Sequence, residues 1–261
     1  MSQTDLPVNG AVAQLKNLVL FDDLVRRLVG RAPHLPGLGV FHGFSGYGKS
    51  FAAGAAVVTH RAHYIECKSV WTPKFFAEKL AVVVGVNAKG NIPTLIERVG
   101  EQLARQNRPL IIDEMDHVLA KGMVEMVRDL YESSQAAIVL IGEEALPQKL
   151  ANDRYERFHN RILAWVTAQP CNRTDAAALA KVYCGQVEVA EDLLDVLAHQ
   201  CDGRARRICV NLERIRDLAR AEGLKTIGVK EWGARDFYIG VAPGMREALK
   251  PQARNARPGA R

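Results

Sequence analysis

Along the first two thirds of the chain, apolar residues come in short unbroken runs separated by longer amphipathic stretches. The runs are LGVFHGF (38–44), AHYIEC (62–67), PLIIDEM (109–115), AAIVLIG (136–142) and RILAWVTA (161–168). Each is brief, aliphatic and continuous rather than alternating, the pattern of a strand buried on both faces. Between them, apolar positions recur at helical spacing over 49–60, 73–85, 92–107 and 121–134, with a shorter stretch near 144–151. LKNLVLFDDLVRRLVG (15–30) has the same helical spacing ahead of the first run. Strand and helix in alternation predict a parallel sheet with helices on both faces, an α/β fold.

Near residue 170 the pattern changes. TDAAALAKVYCGQ (174–186), AEDLLDVLAHQC (190–201) and GRARRICVNLERIRDLARAEG (203–223) keep helical spacing with no strand-like run between them. Thr174 and Gly223 stand where helix punctuation is expected. The organisation read from this is an α/β domain over 1–170, a small all-helical domain over 171–240 and a tail over 241–261.

Composition and charge add to this picture. At 48% hydrophobic and 25% charged, 261 residues can bury a sizeable core. No apolar run reaches the roughly 18 residues a membrane span needs. The opening MSQTDLPVNG lacks the basic-then-apolar layout of a secretory leader. Cys67, Cys171, Cys184, Cys201 and Cys209 are scattered and form no C-x-x-C pair. They read as reduced, buried thiols of a cytoplasmic protein. Of the net charge of +6, +4 falls after residue 244, where five Lys or Arg stand against Glu247. With Pro251, Pro258 and Gly259, this end reads as a disordered basic tail, either attracting nucleic acid or keeping the chain soluble.

The chemistry begins at GFSGYGKS (43–50), which fits G-x-x-x-x-G-K-[ST] with Gly43, Gly48, Lys49 and Ser50. Gly46 and Gly48 permit a loop whose N–H groups point at phosphate oxygens. A helix starting near Lys49 adds its partially positive end. Lys49 would reach the β- and γ-phosphates and Ser50 would ligate Mg²⁺. Ser45, Tyr47 and Phe51 belong to the same nucleotide-contacting stretch, although the phosphate chemistry does not require the rings of Phe44 and Tyr47. PLIIDEMD (109–116) puts Asp113 and Glu114 at a strand end, where ligands of parallel sheets sit. Asp113 would orient the metal, and Glu114 would polarise a water for attack on the γ-phosphate. Asp116 and His117 read as helix surface or local polar contacts.

With these two motifs the chain resembles the AAA+ ATPases over roughly 17–238. The resemblance implies ATP and Mg²⁺ as cofactors, and a P-loop sheet flanked by helices with a small C-terminal helical lid. In IVLIGEEAL (138–146) it makes Glu143 the sensor-1 position, a departure from the neutral polar residue usual there. In ERFHNRI (156–162) it makes Arg161 the first and Arg157 the second candidate for an arginine finger given to a neighbouring subunit. In DGRARRI (202–208) it makes Arg206 the sensor-2 candidate, with Arg207 as alternate. Val19 and Phe21 fall where the family holds adenine, or else pack in the core.

Within that family the chain is most similar to transposition regulators, the group of the phage Mu B protein and the ATPases of Tn7-like transposons. That similarity implies a homo-oligomeric filament on duplex DNA, bound without sequence preference, that marks target DNA and activates a transposase in a bacterial host cell. WTPKFFAEKL (71–80) and NAKGNIPTL (87–95) match the DNA-contacting loops of that group, through Lys74, Lys89, Gly90 and Asn91. Only about forty residues precede the phosphate loop, too few for the additional N-terminal DNA-binding domain of the Mu B protein. The alternatives are a DnaC-like helicase loader, a secretion or signalling P-loop ATPase that does not touch DNA, and, more distantly, a small-molecule kinase.

Overall fold

The structure is a computed structural model that describes residues 15–241. The tail expected over 241–261 lies outside the described residues but for Val241.

Five strands, β1 (Leu38–His42), β2 (His63–Glu66), β3 (Leu110–Asp113), β4 (Ile138–Gly142) and β5 (Ile162–Thr167), form one parallel sheet in the order β2-β3-β4-β1-β5. Each lies inside one of the apolar runs. Successive side chains of a strand point to opposite faces, and the core divides accordingly. Leu110 and Ile112 of β3 join Leu140 of β4 in one apolar cluster, while Ile111, Val139 and Ile141 join another. The first cluster is covered by α3 (Pro73–Val84), α4 (Ile92–Gln106), α5 (Met115–Ala120) and α6 (Val124–Ser134). The second is covered by α1 (Lys16–Val29) and α2 (Lys49–Thr59). The buried face of α2 is Ala52, Ala53 and Ala56, so the helix that follows the phosphate-loop motif can lie close to the strands.

Helix ends follow local chemistry. The Thr72 hydroxyl accepts the Phe75 N–H at 3.2 Å and Pro73 opens α3. The Asn91 side chain accepts the Thr94 N–H at 2.9 Å and caps α4. Each cap contributes about 1 kcal/mol. The structure departs from the sequence reading at Glu114 and Met115, which were expected to continue the strand. The chain leaves the sheet after Asp113 because Glu114 is left-handed (φ 57°, ψ 44°) and starts α5. Two short helices, α7 (Leu146–Leu150) and α8 (Glu156–His159), lead from β4 to β5.

From residue 171 a third cluster begins, built by α9 (Arg173–Tyr183), α10 (Glu191–Gln200), α11 (Ala205–Ala221) and α12 (Val229–Trp232). To the expected helices the structure adds α12 and the strands β6 (Glu188–Val189) and β7 (Thr226–Ile227), a two-residue parallel pair. The cap of α9 is Asn172 rather than Thr174: Asn172 and Asp175 exchange side-chain and backbone bonds, each 3.0 Å. Gly223 is left-handed (φ 67°) just past α11, as its placement suggested. Cys67, Cys171, Cys184 and Cys201 are buried, and all five thiols are free. Among the described residues, no helix is long and apolar enough to cross a membrane.

Candidate functional site

Beyond the C-terminal ends of β1, β3 and β4 lies a cleft of about 490 Å³, a size ordinary for small-molecule sites. Its floor is the turn from β1 into α2. Gly46 (φ 90°) and Gly48 (φ 82°) sit in the left-handed region that a side chain disfavours. The Lys49 ammonium folds back over this turn, donating to the Gly43 carbonyl at 2.6 Å and the Phe44 carbonyl at 3.0 Å. Burial pulls its pKa below the ordinary lysine range, while Asp113, Glu114, Asp116 and Glu143 pull the other way.

Asp113 is 2% exposed. Its carboxylate accepts the Tyr64 hydroxyl at 2.9 Å and the Glu114 N–H at 2.8 Å. Glu114 is half-buried, and burial followed by the nearby Asp113 pushes its carboxyl above the usual range. Glu143 lines the cleft, but its side chain is 67% exposed. What is held there is its backbone: the N–H donates to Asp116 at 2.7 Å, and Lys149 bonds the other Asp116 oxygen at 2.6 Å. Asp116 is therefore the local polar contact rather than helix surface, and it forms part of the site's framework.

The opposite wall comes from the C-terminal helices. Leu179, Val182 and Tyr183 of α9 and Cys209 and Val210 of α11 face Leu15 and Phe51 across an apolar end of the cleft. Val19 and Phe21 are not there: Val19 is exposed, and Phe21 is buried edge-on against Phe41, ring centroids 5.1 Å apart. Arg206 lines the cleft, whereas Arg207 turns away to Asp202 at 2.6 Å. Arg204, unremarked in the sequence, donates to the Ser45 carbonyl at 3.1 Å. Asn17 ties the lid junction to the loop from below. Its amide donates to the Tyr47 and Gln169 carbonyls, and its oxygen accepts the Gln169 N–H, each at 2.8 Å. The Tyr47 ring lies against Phe44, centroids 5.8 Å apart, and against the α1–α2 core.

Of the expected nucleotide and metal contacts, Ser45, Gly46, Gly48, Lys49, Ser50, Phe51, Asp113, Glu114, Glu143 and Arg206 line this cleft, and Gly43, Tyr47 and Arg207 do not. The two finger candidates lie on the segment entering β5. Arg161 is paired with Glu132 at 2.7 Å and also donates to the Arg157 carbonyl at 3.1 Å. Arg157 is exposed, and its guanidinium makes no bond among the described residues.

The two segments expected to meet DNA are brought together. The Lys74 ammonium bonds the Gly90 carbonyl and lies 3.4 Å from Glu78. Arg98 braces the same turn, donating to the Asn87 and Lys89 carbonyls at 2.9 Å each. Lys89 is exposed, and the Asn91 oxygen is engaged in capping α4.

The cleft fits a nucleoside triphosphate with Mg²⁺. Its loop has the glycine geometry, its lysine is held only by loop carbonyls, and its apolar end can take a base. Ser50 and Asp113 supply one hydroxyl and one carboxylate. No group of three metal-binding His, Cys, Asp or Glu side chains exists among the described residues. One hydroxyl and one carboxylate suit Mg²⁺, which uses one or two carboxylates and otherwise phosphate and water.

A family profile described as an AAA domain matches residues 33–150, which hold β1 to β4 and both motifs. Among solved structures, the fold is shared with the Aeropyrum pernix ORC2 protein in its ADPNP–ADP complexes. That match has a TM-score of 0.62 and 15% identity, covering 88% of this chain and 68% of that one. It is also shared with the A. pernix ORC1 protein in complex with DNA, at TM-score 0.55 and 18% identity, covering 87% and 64%. Domain III of the Thermotoga maritima replication initiation protein DnaA matches at TM-score 0.55 and 18% identity, covering 82% of this chain and 88% of the domain. The chain thus spans about two thirds of the length of the ORC proteins. No curated protein sequence matches it. At these identities the likeness establishes the AAA+ fold.

Proposed function

We propose that this chain is an ATP-hydrolysing switch that assembles on duplex DNA and, as a transposition regulator, presents that DNA to a transposase. The observation that carries the ATPase part is the convergence of Lys49, Ser50, Asp113, Glu114 and Arg206 on one cleft. Lys49 would leave its two loop carbonyls for the phosphates. Ser50 and Asp113 would hold the metal that neutralises phosphate charge, and Glu114 would orient and polarise the attacking water. Arg206 would report on the nucleotide from the lid. Arg157 is the better finger candidate, since Arg161 would first have to give up its ion pair with Glu132.

DNA contact is supported by the Lys74–Gly90 juxtaposition, which makes one surface of two loops that the sequence could only name separately. Lysines and a polar turn suit contact with phosphates independent of sequence. The transposase rests on the sequence resemblance alone. A second reading, an initiator or helicase-loader ATPase of replication, is favoured by the fold shared with ORC and DnaA proteins.

Negative-stain microscopy with an ATP analogue, with and without long duplex DNA, tests the assembly. Filaments on DNA are expected, with binding that falls steeply as salt rises. Replacing Lys74 and Lys89 together by Ala should weaken DNA retention and leave nucleotide affinity unchanged. No DNA retention at low salt, in an ATP-bound protein, would sink the DNA reading. Stimulation by a purified replicative helicase rather than a transposase would favour the second reading.

A further inference from the structure

The corner between β2 and α3 carries side chains that phosphate contact does not require. Trp71 and Phe75 lie edge to face with ring centroids 5.3 Å apart, and the Lys79 ammonium stands 5.0 Å from the centre of the Phe75 ring. Phe75 is 39% exposed and Val70, at the tip, 82%. Trp71 is only partly buried against the sheet core.

The corner is fixed in place. The Cys67 N–H donates to the Asp113 carbonyl at 3.0 Å, and the Trp71 N–H donates to the Lys68 carbonyl at 3.1 Å. Thr72 and Pro73 then start α3. These bonds fix the backbone from which both rings project.

Cations surround them. Lys68 is paired with Glu66 and Lys74 with Glu78, but Lys79 and Lys89 form no ion pair among the described residues. The partially positive N-termini of α3 and α4 meet where Lys74 reaches Gly90. Stiff rings with lysines nearby, Lys79 and Lys89 among them without an ion pair among the described residues, suit a strand whose bases are unpaired, because rings stack on bases while cations hold the phosphates. A duplex hides its base faces and could use only the cations.

We infer that the Trp71–Phe75 corner is a stacking platform for unpaired bases, so that this surface takes single-stranded DNA as well as duplex. The inference rests on the reading that the Lys74–Gly90 surface meets DNA. Tryptophan fluorescence tests it, with the full chain titrated at low salt, in the presence of an ATP analogue, with oligothymidylate or with duplex of equal length. Oligothymidylate should quench the fluorescence. Trp71→Phe should abolish the quench while retaining binding, measured by anisotropy of a labelled strand. Phe75→Ala, at a partly exposed ring, should weaken oligothymidylate binding about tenfold and leave duplex binding and the melting temperature unchanged. Binding of duplex but not oligothymidylate overturns the platform and leaves the DNA reading standing. An equal quench in Trp71→Phe, or equal losses for both DNA forms in Phe75→Ala, also overturns the platform. Binding of neither form removes the DNA reading itself.

Discussion

Glu114 is held in a backbone conformation that non-glycine residues adopt rarely, φ 57° and ψ 44°. Such conformations cost on the order of 1–3 kcal/mol and persist where surroundings impose them. Here the Asp113 carboxylate accepts the Glu114 N–H, and the turn keeps the Glu114 side chain at the cleft instead of in the sheet. Glu114→Gln keeps the size and removes the carboxylate that the proposed mechanism uses to polarise water. It should lower turnover by about 10²–10⁴-fold, leave nucleotide affinity intact and make ATP-bound assemblies persist. Phosphate release and binding of a fluorescent nucleotide measure the two. Lost binding with an unchanged melting temperature would make Glu114 a nucleotide ligand rather than a water activator. The phosphate-loop and strand-end residues were legible because their chemistry is local in sequence. Asn17, Tyr64 and Arg204 were not, because their partners lie 30 to 159 positions away. Asn17 did leave a trace: it falls on the apolar stripe of α1 with Phe21, Leu24 and Leu28, where a polar side chain needs a buried partner.

At the scale of elements, strands and long helices were readable because burial on two faces or on one imposes a period that the sequence must carry. The pieces that escaped, α5, α8, α12 and the β6–β7 pair, are six residues or fewer, too short for a period to show. Yet α5 joins the parts of the site. Asp116 on α5 holds the Glu143 N–H at the end of β4 and the Lys149 ammonium on α7. A side chain on Gly142 would meet that carboxylate at 2.6 Å, so the glycine makes room for the link. The Asp116 side chain is only 12% exposed, so its removal leaves the Glu143 N–H without its acceptor, whereas Lys149, 42% exposed, can turn to water. Asp116→Ala should cost about 2 kcal/mol in urea unfolding and lower kcat more than it raises KM. Asp116→Asn can still accept the Glu143 N–H and should recover most of the turnover. Equal damage by both would assign the role to the Lys149 ion pair instead.

For the whole molecule, the fold could be read from one chain, but the proposed contact between copies could not, because it would join residues of different subunits. The arginines show the limit. From sequence, Arg161 ranked ahead of Arg157; in the structure Arg161 is bound to Glu132 and Arg157 is free to reach outward. If Arg157 completes a neighbour's site, Arg157→Ala should bind nucleotide normally and lose about 10³-fold or more in assembled turnover. Arg161→Ala should lose far less. Mixing supplies the discriminating measurement. A Glu114→Gln protomer still carries Arg157, and an Arg157→Ala protomer still carries Glu114. Side by side in one assembly, the first can complete the site of the second. Phosphate release should therefore rise when the two inactive variants are combined and fall again as either is in excess. Mixtures no more active than their components, although co-assembled by sedimentation, would show that hydrolysis does not depend on an arginine donated across the interface.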